Sequence, residues 1–139
     1  MLRKSGFWHD PAMQRFKDTA ACAQVIADRL GPDLRVAAPL GLGKPHGLLN
    51  AIYALIKAQP ARSLSLYTAL SLTRPQPKPG LEARFLEPFL ARHFGEDCVD
   101  PEYALDQARD ALPPNVAVHE FYMQSGALLH SGRAQRSYI

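Results

Sequence analysis

The chain has 139 residues, of which 47% are hydrophobic and 21% charged, a composition typical of one globular domain with a core of its own. The formal net charge is only +3, and the basic residues are scattered, which argues against a nucleic-acid-binding role. Cys22 and Cys98 have no partners at metal-ligand spacing, and no apolar run approaches the roughly 20 residues of a membrane span. These features predict a cytoplasmic protein that holds no metal and binds neither nucleic acid nor membrane.

The first half of the chain predicts helix, strand, glycine-rich loop and helix. A helix is expected to begin at Asp10-Pro11 and to end at Gly31-Pro32-Asp33, since these residues favour helix starts and stops. Apolar residues then recur at strand and helix periods on either side of a loop. The expected bounds are 34–38 for the strand, 39–45 for the loop and about 46–59 for the second helix.

The second half predicts two further strands separated by helices. The expected elements are a strand at 64–70, a proline-rich loop at 74–80, an amphipathic helix over 81–94, a shorter helix within 101–111 and a strand at 116–122. Strands that alternate with helices need crossover connections, which favour a parallel sheet with helices packed on its faces. We therefore predict an α/β fold, with an N-terminal helical segment at 1–33 and an α/β domain at 34–139.

The glycine-rich loop is the most informative feature of the sequence. Gly41 and Gly43 can take backbone conformations closed to other residues, and the helix that follows directs unpaired N–H groups at the loop. In open parallel sheets, ligands bind beyond the carboxyl ends of the strands, where this loop, 68–73 and 121–126 are expected to meet. The loop is therefore a candidate site for an anion or an oxyanion.

Two familiar phosphate-binding motifs do not fit this loop. Ala38 and Pro45 stand where a P-loop needs glycine and Ser or Thr. Gly41, Gly43 and Gly47 form a loosened dinucleotide fingerprint, but no acidic residue closes the second strand to hold a ribose. Nucleotide binding and ordinary turn chemistry stay open as alternatives.

Five separated segments resemble the N-terminal part of the acetyl-CoA hydrolase/transferase family, in the order and spacing of that family. The most specific are Leu112-Pro-Pro-Asn115 and His119-Glu-Phe121. The segments are 41–53, 66–72, 81–89, 112–122 and 134–139. The resemblance implies the layered α/β fold of CoA-transferase and sugar-phosphate-isomerase-like proteins.

The resemblance also implies ping-pong acyl transfer, in which a glutamate attacks an acyl-CoA and becomes a glutamyl-CoA thioester. Coenzyme A is then a substrate, and no cofactor is expected. The nucleophilic glutamate belongs to the second half of those enzymes, so we expect it outside this chain and expect the chain alone to be inactive.

Within that chemistry, Gly41 and Gly43 are candidates for the backbone N–H donors of an oxyanion site. Lys44 is a candidate for binding a carboxylate or a CoA phosphate, although a solvated lysine is the simpler interpretation. Thr68 could donate a hydroxyl hydrogen bond at a strand end, but a buried, hydrogen-bonded threonine is expected. Glu120 is a weak catalytic candidate.

Four other polar residues receive a weaker assignment. Strand alternation places His119 on the opposite face from Glu120, so an acid–base pair between them is not expected. His46 is interpreted as a polar loop residue, because the positive helix end disfavours its protonated form. Ser137 and Tyr138 lie in the last matching segment, and the sequence assigns no role to them.

The last segment breaks off without a capping or polar tail, which suggests a fragment of a longer protein. The missing half, in cis or as a separate subunit, would be the main partner, alongside an acyl-CoA and a small carboxylate. A sheet edge that this half would cover predicts self-association as a homodimer. The alternatives are an acyl-CoA- or nucleotide-binding module without turnover and one subunit of a split CoA-transferase.

Overall fold

Three short parallel strands form one sheet in chain order in the computed structural model, which describes residues 14–95, 98–121 and 130–132. The strands are β1 (Asp33–Ala37), β2 (Ser63–Thr68) and β3 (Val116–Glu120). Each lies within two residues of its predicted start or end, because apolar runs bounded by prolines and polar residues mark strands well. The predicted α/β class and parallel sheet are confirmed.

Four helices accompany the sheet in the described residues. They are α1 (Thr19–Leu30), α2 (His46–Ala58), α3 (Leu81–Phe94) and α4 (Glu102–Ala108), and a single 3₁₀ turn spans Gly41–Gly43. The segment 74–80 has no regular structure, as its prolines predict. None of these helices is long and apolar enough to cross a lipid bilayer.

The first helix begins later than its sequence suggests. Residues 14–18 are not helical, so the predicted start at Asp10-Pro11 is wrong over that stretch, and residues 1–13 lie outside the described part of the chain. The Asp18 carboxylate accepts the backbone N–H groups of Ala20 and Ala21, each at 3.1 Å. This side-chain cap fixes the start of α1, because it satisfies two donors that have no partner within the helix.

The core lies on one face of the sheet. Leu34, Leu64 and Val116 are in register across the three strands and are buried, as are Leu66 and Val118 in the next layer. Buried residues of α1, α2 and α4 complete this core: Ala23, Ala27, Leu49, Ile52, Tyr53, Ile56 and Tyr103. The described helices therefore bury one sheet face, which corrects the expectation of helices on both.

Strand order explains this arrangement. Right-handed crossovers that always step in the same direction leave their helices on the same side of the sheet, and covering both sides needs a reversal of direction. Tyr67 and Arg35, on the opposite face, are exposed. Since the order β1-β2-β3 contains no reversal, the described sheet also lacks the crevice that such a reversal opens in larger α/β folds.

Candidate functional site

The loops after β1 and β2 meet the end of β3 at the carboxyl edge of the sheet, and the Lys44 side chain joins these two loops. Lys44 follows the glycine loop, and its Nζ donates to the backbone carbonyl of Ala69 and, at 3.0 Å, to that of Leu70. The residue is only 6% exposed. The interpretation of Lys44 as a solvated lysine at a helix start is therefore wrong: its ammonium is a structural tie between the loops after β1 and β2.

The electrostatics of Lys44 reflect this burial. Loss of solvation lowers the pKa of Lys44, and the negative charge of Glu120 acts in the opposite direction. No ion pair joins the two side chains among the described residues, so Glu120 acts at longer range. The two carbonyl oxygens are the direct partners that make a buried ammonium tolerable here.

The backbone of Leu70 is held in a left-handed conformation, with φ of +51°. A residue with a Cβ rarely adopts this conformation, which costs of the order of 1–2 kcal/mol. The strain occurs where two successive carbonyls, those of Ala69 and Leu70, point at the same ammonium. The Lys44 contacts and the hydrogen bond from the Leu72 N–H to the Leu70 carbonyl accompany this unfavourable conformation.

Glu120, at the end of β3, forms the second tie. Its Oε1 accepts the backbone N–H of Ser71 at 2.5 Å, so β3 is joined to the loop after β2. Glu120 lies on the core side of β3, whereas His119 stacks on Tyr67 on the other side, with ring centroids 4.7 Å apart. The two side chains diverge as predicted, and this geometry does not bring them together as an acid–base pair.

A hydroxyl cluster lies beneath these ties. Ser71 Oγ and the Tyr103 hydroxyl are 2.8 Å apart. Burial raises the pKa of Tyr103, the neighbouring Ser71 and Thr68 hydroxyls lower it, and the charge of Glu120 raises it further. The phenol is therefore a proton donor, not a phenolate, at neutral pH.

Thr68 is fully buried, and its Oγ1 makes no hydrogen bond of ordinary geometry with the described residues, although it lies near enough to Tyr103 to act on that phenol. The burial was predicted, but the expectation of a fully hydrogen-bonded hydroxyl is wrong. Burying a hydroxyl without a hydrogen-bond partner costs free energy, so the Thr68 hydroxyl is an unsatisfied polar group at this site.

The two glycines of the loop play different parts. Gly41 has φ of +60° and is buried, and its carbonyl accepts the Lys44 N–H at 3.3 Å to close the 3₁₀ turn. Gly43 is exposed, lies outside the left-handed region, and a Cβ added there would meet no atom within 4 Å. The left-handed backbone conformation therefore favours glycine at position 41. At position 43, the missing side chain leaves the backbone accessible from solvent. No side chain caps the following helix α2.

Two residues of α2 fasten the segment that precedes α4. His46 Nδ1 donates to the Val99 carbonyl at 2.8 Å, and its Nε2 is buried without a partner in the described residues. Asn50 donates to the Asp100 carbonyl and accepts the Glu102 N–H, both at 2.9 Å. His46 therefore has a structural role, as the sequence suggested, but it is the first residue of α2 and not a loop residue.

Sequence reasoning missed three members of this edge: Ser71, Tyr103 and Asn50. Only Asn50 carried a signal, since a polar residue on the apolar side of a helix is rarely buried without a specific partner. Ser137, Tyr138 and the 122–126 part of the third loop lie outside the described residues.

Gly41, Lys44, Thr68 and Glu120 therefore lie around one sheet edge, while Gly43 faces solvent beside it. No group of three or more His, Cys, Asp or Glu side chains suited to a metal ion occurs in the part of the chain that the structure describes. Comparison with protein-family models, with curated proteins and with solved structures found no match for this chain.

Proposed function

We propose that this chain is the N-terminal part of an acetyl-CoA hydrolase or transferase, and that its glycine loop binds the acyl-CoA or the small carboxylate. Two things support the proposal: the five ordered segments that resemble that family, and a parallel α/β sheet whose glycine loop is anchored at the carboxyl edge. The observation that carries it is the exposed Gly43 beside the uncapped start of α2.

The loop would act on the acyl carbonyl. A glutamate carboxylate outside this chain attacks the thioester carbonyl, a mixed anhydride forms and the CoA thiolate leaves. The thiolate then attacks the glutamyl carbonyl, which gives the glutamyl-CoA thioester and releases the acyl group as a carboxylate. Each attack places negative charge on a carbonyl oxygen, which the first N–H groups of α2 without a partner in the helix and the positive end of the α2 dipole would stabilise.

Lys44 has a supporting role in this proposal. Its ammonium points at two backbone carbonyls, so it does not bind the substrate directly and instead fixes the loop that carries Gly43. Glu120 is engaged by the Ser71 N–H and acts in the same structural way. Neither is proposed as a catalytic residue.

The test is acetyl-CoA consumption, together with exchange of CoA into acetate. Both are measured for this chain alone and for a protein extended downstream in its own reading frame. Activity only in the extended protein supports the proposal. Robust activity of the pure short chain that survives Glu120→Gln would refute it. Binding of acetyl-CoA without turnover in either protein would favour the non-catalytic binding module instead.

A further inference from the structure

We draw no further inference here: the strongest candidate, the open sheet face around the stacked rings of Tyr67 and His119, carries none because nothing in the described part of the structure shows what covers it.

Discussion

The carboxyl edge of the sheet and the outer side of α3 depart from ordinary burial in opposite ways. At the edge, a lysine is buried against backbone carbonyls and a carboxylate accepts a backbone N–H. On α3, two phenylalanines and a leucine are exposed. The difference shows that exposure alone does not mark function. The charged groups at the edge have partners within the chain, whereas these apolar side chains of α3 are open to solvent.

The contrast also separates two kinds of role. The edge residues fix the backbone near the exposed Gly43, so their replacement should change the free energy of unfolding. The exposed apolar residues of α3 contribute little to the folded chain, so their replacement should leave the free energy of unfolding nearly unchanged. The following experiments test whether the sheet edge and the outer side of α3 differ in this way.

The largest effect is expected for Lys44→Met, which keeps the bulk of the side chain but removes the ammonium. The buried Ala69 carbonyl loses its donor and the Leu70 carbonyl keeps only the Leu72 N–H, so we expect a loss of about 3 kcal/mol in the free energy of unfolding. Lys57→Met, in the last turn of α2, is the matched control. Lys57 is half exposed in its ion pair with Asp106, and its replacement should cost less than about 1 kcal/mol. Equal losses in urea titrations of the two variants would contradict the structural role of Lys44.

A smaller effect is expected for Tyr103→Phe, which removes the hydroxyl next to Ser71. At neutral pH we expect a loss of about 1 kcal/mol in the free energy of unfolding, measured by urea titration. Burial raises the pKa of Tyr103, so its contribution is present below the unfolded value of 10.0 and is lost as the pH rises toward the folded value. The variant should therefore lose less stability than the original chain above pH 10.

Two other groups, Tyr53 and Lys44, also change the stability at alkaline pH, and their effects must be separated from that of Tyr103. Burial and Asp106 also raise the pKa of Tyr53, so Tyr53 contributes with the same sign. The lowered pKa of Lys44 has the opposite sign and adds stability as the pH rises toward 10.5. A Tyr53→Phe, Tyr103→Phe double variant should accordingly flatten the alkaline loss more than either single change. An unchanged alkaline loss in the double variant would contradict the burial of these phenols.

The strained turn at Leu70 predicts an unusual order of stability. Leu70→Gly should be more stable than Leu70→Ala by about 1 kcal/mol, because only glycine takes the left-handed conformation without cost. Leu40 is the control, since it is exposed and has φ of −68°. There the alanine variant should be the more stable of the two. The same order at both positions in thermal unfolding would show that Leu70 is not strained.

The smallest effect on the monomer is expected for Phe85→Ser. The side chain is exposed, so the free energy of unfolding at low concentration should change by less than about 0.5 kcal/mol. Leu90→Ala, on the buried side of the same helix, should cost about 2 kcal/mol or more. A large loss in the free energy of unfolding for Phe85→Ser in dilute solution would mean that the Phe85 side chain packs within its own chain.

Local patterns were enough to predict the strands, α2 and the divergence of His119 from Glu120. Apolar periods and turn residues act over a few positions, so a single sequence carries them. Helix α3 was also predicted correctly, even though it contains Pro88. The expectation of one amphipathic helix did not separate its two apolar sides. Leu81 and Leu90 are about two and a half turns apart, so they lie on opposite sides of the helix.

The roles of Lys44 and Ser71 could not be predicted in the same way. Lys44 reaches carbonyls that follow β2, and only the parallel pairing of β1 with β2 brings them within range. Every residue has a backbone carbonyl, so a hydrogen bond to one does not depend on the residue type of the acceptor and cannot be predicted from it. The start of α1 at Asp18 was missed because Asp10-Pro11 offered an earlier helix-start signal of the same kind.

Titration calorimetry with acetyl-CoA tests most directly whether the glycine loop is the binding site. Gly43→Val adds bulk where a Cβ meets no protein atom, so the fold should be unaffected while the approach of a ligand is blocked. Gly47→Ala, inside α2, is the matched control, because its Cβ would make only an ordinary contact 3.9 Å from Thr19. We expect binding by the original chain and by Gly47→Ala, and a loss of at least about tenfold in affinity for Gly43→Val. Equal binding by all three proteins, or no binding by the original chain, would contradict the assignment of the site to this loop.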